Sequence, residues 1–289
     1  MKIDRTSRYS ALAVVALVAI AVARIAATYG SLNQAYDEPA HIACGIELLQ
    51  SYSYRLEPQH PPLARISAAV LPFLSGSRLP ASGALTELQP SPDPIRFDWV
   101  RFNQLGNFIL TVRGSYTRTL ALARLGILPS YILACCVVWW WASELFSPGT
   151  ALICLLLYSN LPPVLAHAGL ATTDMAFAAM LAAALFSFFR LVRSPTRSRL
   201  LLCAILTGAA IATKITACIY LPVSYVGFGL YVLRERKLLE LRFFRTLAAP
   251  AALFCIVAAL TLSAGYLFKM DRFYNSQEVE EKHSLLAAE

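Results

Sequence analysis

Long apolar runs, separated by one long loop and several short polar segments, set the pattern of the sequence. A helix needs about 20 mostly apolar residues to cross a bilayer. The first run extends from Tyr9 to Tyr29, and a run from Leu200 to Leu233 is long enough for two short helices that turn near Lys214. The remaining runs cover 120–146, 150–166, 173–191 and 247–268. The pattern predicts an all-α, polytopic transmembrane helix bundle of about seven spans.

The composition narrows the class of protein. Hydrophobic residues make up 57% of the chain and charged residues 15%, and the mean hydropathy is +0.57. Because soluble globular domains carry about 25% charged residues, this excludes an ordinary soluble enzyme. The abundance of large apolar side chains also excludes a disordered chain. The seven cysteines show neither C-x-x-C nor zinc-finger spacing, so we expect them to pack as small apolar side chains.

The net charge of the chain is +8, and the positions of its basic residues indicate the membrane topology. Basic residues cluster after the run at 173–191 and again after Leu233, and the positive-inside rule places both clusters and the N-terminus in the cytoplasm. An exception is the turn after the second run, which contains Glu144 and no basic residue. The sequence predicts membrane lipids as partners. It predicts no nucleic acid, because no basic groove with interleaved aromatic residues is visible.

The predicted spans divide the chain into four parts. They are a first transmembrane helix within 1–29, an extracytoplasmic loop with interfacial helices at 30–119, a bundle of about six helices at 120–268, and a polar C-terminal tail at 269–289. Helical spacing after Pro39 and the sequence His60-Pro61-Pro62-Leu63 predict the two interfacial helices, and 75–98 reads as irregular loop. A cleaved secretory signal is an alternative for the first run, since Ala21-Val22-Ala23 resembles a cleavage site.

The ionisable residues expected near one membrane surface are the candidates for a functional site. They are Asp37, Glu38, His60, Asp174 and Lys214. Ionisable groups at membrane depth are costly and mark functional sites by default. A carboxylate can activate a hydroxyl, and a nearby cation can hold a phosphate. Arg24, inside the first run, is a further candidate for contact with a lipid phosphate.

Each of these residues also has a purely structural interpretation. The carboxylates could cap helices or complement helix dipoles, as Asp37 could do for the helix that follows it. His60 precedes two prolines and has no second histidine nearby, so a structural role is the alternative to a ligand. Lys214 and Arg24 could extend their charges to the lipid headgroups.

The order of these motifs resembles a known superfamily. An N-terminal span precedes the Asp37-Glu38 pair, the His60-Pro61-Pro62-Leu63 helix start, and Thr172-Thr173-Asp174 at a later outer helix end. A Gly-x-x-x-x-Thr-Lys pattern then runs from Gly208 to Lys214. The sequence is similar to the GT-C membrane glycosyltransferases, in particular to glycosyltransferase family 39, which includes protein O-mannosyltransferases and aminoarabinose transferases. The resemblance covers 9–266.

The resemblance implies an enzyme that transfers a sugar from a polyprenyl-phosphate donor to a protein or glycolipid acceptor outside the cytoplasm. It implies a catalytic set of Asp37, Glu38 and Asp174, in which Asp37 takes the proton from the acceptor hydroxyl. The donor phosphate, which leaves as an anion, would be bound by Lys214, His60 and Arg24.

The chain departs from the family at two places. The aminoarabinose branch often has a Glu-Lys pair ahead of the helix-starting proline, where this chain has Gln59-His60. Family members also continue with several more spans and a soluble C-terminal domain. The chain is therefore expected to lack the C-terminal part. It would then be a truncated product, a short relative, or half of a split enzyme whose partner subunit supplies the missing spans.

Two other function classes remain alternatives. They are a non-catalytic transporter or lipid-binding subunit on the same scaffold, and an inactive fragment of such an enzyme. Transporters place ionisable groups near the bilayer midplane, whereas these gather at one surface, which favours an enzyme. No cofactor is evident, and a divalent metal ion held by the loop carboxylates remains open. The predicted location is the bacterial inner membrane, with the N-terminus cytoplasmic and the active site extracytoplasmic.

Overall fold

The computed structural model describes residues 5–54, 56, 60–80, 99–112, 115–236 and 241–268. These residues form eleven α-helices and no β-strand. In chain order the helices are α1 (Arg5–Ala27), α2 (Glu38–Ser51), α3 (Leu63–Leu74), α4 (Trp99–Thr111), α5 (Tyr116–Leu145), α6 (Pro148–Asn160), α7 (Pro162–Ala168), α8 (Thr173–Arg193), α9 (Arg197–Thr213), α10 (Ala217–Arg236) and α11 (Leu241–Gly265). The main apolar core joins side chains from α1 to α8.

Three of the described helices, α1, α5 and α8, are long and apolar enough to cross a membrane. A fourth crossing results if α6 and α7, which are bent by 63°, form one broken span. Shorter apolar stretches lie in α3, α10 and α11. The predicted all-α membrane bundle is confirmed, including the break between α9 and α10 at Lys214. The count of about seven spans stays a prediction.

The span predicted at 150–166 is not one straight helix. α6 ends at Asn160 and α7 begins at Pro162, and Leu161 between them has an extended backbone with φ −64° and ψ 121°. Proline has no N–H to donate, and it pushes the preceding residue out of the helical region. The consecutive Pro162 and Pro163 therefore break the apolar run at Leu161.

The first helix of the predicted loop, α2, is buried on every side. Residues 38–48 are all buried, and α3 and α4 pack against them. Two glycines permit this close packing. A Cβ on Gly45 would collide with the carbonyl oxygen of Arg65, and one on Gly106 would collide with that of Pro39. The polar face of α2 is therefore covered by protein as well as its apolar face, and its position at the membrane interface stays a prediction.

The rest of the predicted loop contains one expected helix and one unexpected helix. α3 begins directly after Pro62, as the two prolines predict. Of the predicted irregular segment, 75–80 is described and contains no helix, whereas 81–98 lies outside the described residues. α4 was not predicted, although Leu105, Ile109 and Leu110 form a buried apolar face on it.

Two ion pairs mark the two ends of the bundle. Glu144, late in α5, lies 3.0 Å from Arg190, late in α8. Asp174, in the first turn of α8, lies 2.8 Å from Lys214, which follows α9. α5 and α8 therefore run in the same direction, with α6 and α7 returning between them. We call the two ends the Glu144 end and the Asp174 end. Arg190 also offsets the negative charge of Glu144 at this end.

α9 and α11 approach each other closely at Gly208. A Cβ at this position would collide with the carbonyl oxygen of Ala258, and a Cβ on Gly265 would lie 2.8 Å from the side chain of Ala212. Small residues at helix crossings allow backbones to pack closely in membrane proteins. Gly208 therefore serves helix packing, and the pattern that contains it brings Lys214 to the end of α9.

Candidate functional site

A cluster of charged side chains lies at the Asp174 end. Lys214 Nζ lies 2.8 Å from Asp174 Oδ1, and His167 Nδ1 lies 3.5 Å from Asp174 Oδ2. Lys214 reaches Asp174 because α9 ends at Thr213 and the backbone becomes extended at Lys214, with φ −156° and ψ 131°. The carboxylate of Asp174 therefore lies between the Lys214 ammonium and the His167 ring.

His60 is within electrostatic range of Lys214, Asp37 and Asp174. Its side chain is half-buried ahead of α3 and packs edge-to-face on His41, with ring centroids 5.9 Å apart. Burial and the charge of Lys214 lower the pKa of His60 below its ordinary value, whereas the charges of Asp37 and Asp174 raise it. These charges therefore act on one imidazole, and His60 is neutral at pH 7.

The pKa of His60 is expected to respond to its neighbours with opposite signs. Lys214→Gln removes a positive charge and should raise this pKa, whereas Asp37→Asn removes a negative charge and should lower it further. NMR titration of ¹⁵N-histidine-labelled protein in micelles measures both shifts. Glu144→Gln, at the opposite end, is the matched control and should leave the pKa unchanged. An unchanged pKa in the Lys214→Gln variant would contradict the proximity of Lys214 and His60.

Asp37 carries the accessible carboxylate of the Asp-Glu pair. It occupies the N-cap position of α2, but its backbone is helical, with φ −87° and ψ −18°, and its side chain makes no cap hydrogen bond. The residue is exposed, whereas the neighbouring Glu38 is fully buried. The helix-cap interpretation of Asp37 is therefore wrong, and its carboxylate is available to a substrate.

Glu38 is held inside the protein by four hydrogen bonds. Arg124 of α5 donates two of them, Nε to Oε1 and Nη2 to Oε2, each 2.9 Å long. The backbone N–H groups of Ala35 and Ala171 donate the other two, each 2.7 Å long. Glu38 thereby connects the start of α2 with α5 and with the segment that leads into α8. The structure does not bring Glu38 into the exposed cluster; it positions the segments that carry both candidate carboxylates.

A buried network supports His60. Arg65 of α3 donates from Nε to His41 Nδ1 (3.2 Å) and from Nη1 to the Tyr54 hydroxyl (2.7 Å). Tyr54 donates its hydroxyl hydrogen to the carbonyl oxygen of His60 (2.6 Å), and its ring packs edge-to-face on Tyr266, with centroids 5.9 Å apart. The backbone of His60 is thus fixed by side chains that come from α3, from the segment after α2, and from the end of α11.

His41 takes a defined protonation state in this network. Burial, followed by the charge of Arg65, lowers the pKa of His41 well below its ordinary value. The imidazole is therefore neutral at pH 7, and because its Nδ1 accepts from Arg65, its hydrogen is on Nε2.

Sequence reasoning missed Arg65 and Arg124, the largest of the fully buried side chains. The sequence does indicate both residues, because each arginine lies among apolar residues of a predicted helix. A charge buried in such a helix requires a partner of opposite charge or hydrogen-bond acceptors. A buried arginine at position 124 predicts a buried acid, and Glu38 meets that need while Asp37 stays exposed.

Arg24 contacts a different part of the fold. Its Nη1 donates to Oδ1 of Asn160 at the end of α6, and its side chain lines a cavity with residues of α7. Of the six predicted site residues, the structure therefore brings Asp37, His60, Asp174 and Lys214 together, buries Glu38 beside them, and places Arg24 at α6 and α7.

The family model described as dolichyl-phosphate-mannose-protein mannosyltransferase matches residues 109–263, more than half of the chain. The chain belongs to this mannosyltransferase family. No curated protein matches the chain, and no solved structure matches it. The chain is a membrane glycosyltransferase of the mannosyltransferase type, and its similarity to the GT-C enzymes is confirmed.

The match to the mannosyltransferase family extends from the end of α4 into α11. It includes Arg124, Asp174 and Lys214, whereas Asp37 and His60 precede it. Within the described ranges, no group of three or more histidine, cysteine, aspartate or glutamate side chains could hold a metal ion.

Proposed function

We propose that this mannosyltransferase-type enzyme transfers a sugar from a polyprenyl-phosphate donor to a hydroxyl group of a protein or glycolipid acceptor outside the cytoplasm. The main support is that the exposed carboxylate of Asp37 and the ammonium of Lys214 both act electrostatically on the neutral imidazole of His60. A carboxylate can accept a proton and an ammonium can stabilise a phosphate, and the reaction needs both.

The proposed reaction assigns these groups to the bonds that change. The acceptor oxygen attacks the anomeric carbon of the sugar, and its proton passes to the carboxylate of Asp37. The bond between the anomeric carbon and the phosphate oxygen breaks, and its electron pair leaves on that oxygen. The polyprenyl phosphate thereby gains a second negative charge, which the ammonium of Lys214 stabilises. Because phosphate is already a good leaving group, no general acid is required.

The remaining cluster residues have supporting roles in this proposal. Asp174 holds the ammonium of Lys214 toward the donor, and its second carboxylate oxygen faces His167. His60 is neutral at pH 7, so it offers a hydrogen bond to the donor phosphate rather than a second positive charge. Glu38 is assigned as a positioning residue, since its carboxylate is fully buried and paired with Arg124.

The charge distribution supports an extracytoplasmic site. Four arginines lie at or just beyond the C-terminal end of α8, which is the Glu144 end: Arg190, Arg193, Arg197 and Arg199. The positive-inside rule favours the cytoplasm for such a cluster. The Asp174 end would then face the opposite side of the membrane. The bacterial inner membrane stays a prediction.

A transfer assay tests the proposed function directly. Purified protein in proteoliposomes is supplied with polyprenyl-phosphate mannose and an acceptor, and released polyprenyl phosphate is quantified. Lys214→Gln should lower the rate by about 10²-fold, because it removes the charge that stabilises the leaving phosphate. Arg197→Gln removes an exposed positive charge from the Glu144 end and is the matched control, with an unchanged rate.

The assay has two outcomes that contradict the proposal. Full activity in the Lys214→Gln variant would exclude the assigned role of Lys214. No release of polyprenyl phosphate by the folded wild-type protein, with any lipid-linked sugar tested, would exclude the donor class itself.

A further inference from the structure

Arg24 places an unneutralised positive charge in the last turn of the apolar helix α1. Its guanidinium donates to the side-chain carbonyl of Asn160, which is a neutral group. No carboxylate in the described part of the chain pairs with Arg24. A charge within a spanning helix is costly and requires an opposite charge or access to polar headgroups. The position therefore favours binding of an anion.

Asn160 holds this guanidinium in place. It is the last residue of α6, and its Nδ2 donates to the carbonyl oxygen of Leu156 at 2.8 Å. Because the amide nitrogen is bound within its own helix, the amide oxygen points away and accepts from Arg24. The guanidinium has five N–H donors, and one of them is used by Asn160. The others can bind the oxygens of a phosphate group.

A cavity of about 260 Å³ lies next to Arg24, between α1 and α7. The cavity is therefore much larger than the space of about 30 Å³ that one water molecule occupies in the liquid. Apart from Arg24 and Thr28, the walls are apolar or glycine: Ile25, Leu32, Leu165, Ala166, Gly169 and Leu170. The cavity lies beside α7, which is bent by 63° from α6 at Leu161. An apolar cavity beside a cation suits a molecule with a hydrocarbon chain and an anionic head.

We propose that this cavity binds an anionic phospholipid of the bilayer, with its phosphate on Arg24 and part of an acyl chain against the apolar walls. The outward side of α1 is formed by exposed apolar side chains such as Leu12, Val15 and Ile20. In a bilayer these side chains face lipid, so phospholipid is available at the cavity. No carboxylate is among the lining residues. A sugar donor seated here would have no base beside its sugar, whereas a structural phospholipid requires none.

Native mass spectrometry of the delipidated full chain, titrated with phosphatidylglycerol, tests this site. Arg24→Gln is expected to weaken binding at least tenfold, because it removes the phosphate partner. Ala166→Trp should weaken binding similarly by filling the cavity while leaving the charge. Arg118→Gln removes an exposed arginine at the Asp174 end, in the first turn of α5, and is the matched control with unchanged binding.

Three results would overturn the proposal. The first is phosphatidylglycerol binding by Arg24→Gln that equals wild type. The second is wild-type binding by the Ala166→Trp variant, which also keeps the test decisive if the arginine variant fails to fold. The third is displacement of phosphatidylglycerol by equimolar polyprenyl phosphate, which would make the cavity part of the donor site. Retained binding of polyprenyl phosphate by Arg24→Gln is the expected result and separates the two lipid sources.

Discussion

Asp37→Asn is expected to lower sugar transfer by about 10²- to 10⁴-fold, the range that general-base catalysis contributes. The asparagine side chain has the same shape, but it cannot accept the proton of the acceptor hydroxyl. Because Asp37 is exposed and makes no cap hydrogen bond, the variant should insert into the membrane and accumulate as wild type does. The turnover number of the purified variant, with polyprenyl-phosphate mannose as donor, measures the effect.

Glu144→Gln is the matched control for this experiment. It also converts one partly exposed carboxylate into an amide, but at the opposite end of the bundle. We expect kcat to fall in the Asp37 variant with little change in KM, because the proton is transferred only in the transition state. Wild-type turnover by the Asp37→Asn protein would show that another group accepts the proton.

Arg124→Met is expected to lower the free energy of unfolding by about 3–5 kcal/mol, the cost of leaving one partner of a buried ion pair without its counter-charge. The side chains of Arg124 and Glu38 are both fully buried. The substitution also removes the hydrogen bonds that Arg124 donates to the carbonyl oxygens of Leu32 and Asn33. Denaturant unfolding in detergent micelles, followed by tryptophan fluorescence, measures the loss.

The double variant Glu38→Met with Arg124→Met shows how much of the lost stability comes from an unpaired buried charge and how much comes from altered packing. Since both charges are removed, it should be more stable than the Arg124→Met single variant. Arg118→Gln, on the exposed side of the same helix, should change stability by less than about 0.5 kcal/mol. An Arg124→Met protein as stable as wild type would contradict the structural role of the pair.

The sequence predicted the position of Asp174 and Lys214 because both are polar interruptions at the ends of apolar runs. Helix ends alternate between the two sides of a membrane, so these residues were expected at one surface. The structure joins them in an ion pair, 2.8 Å between Nζ and Oδ1. The same logic places Glu144 and Arg190 at the other end.

That Asp37 is exposed while Glu38 is buried could not be predicted in this way. The two residues are adjacent, and only the arrangement of α5 decides which carboxylate is buried. Arg124 lies 86 positions from Glu38, and no local periodicity connects them. The burial of α2 depends in the same way on α3 and α4. The break at Leu161, in contrast, is visible as two prolines, but the apolar residues around it suggest one continuous span.

The ring contact between Tyr54 and Tyr266 has a consequence for the order in which the protein is made. Synthesis starts at the N-terminus, so Asp37 and His60 leave the ribosome long before α11 does. Tyr54 holds the carbonyl oxygen of His60, and one face of this arrangement is supplied by Tyr266. A nascent chain that ends before Tyr266 therefore lacks the ring that packs on Tyr54. The described surroundings of His60 are complete only after α11 and Tyr266 have been synthesised.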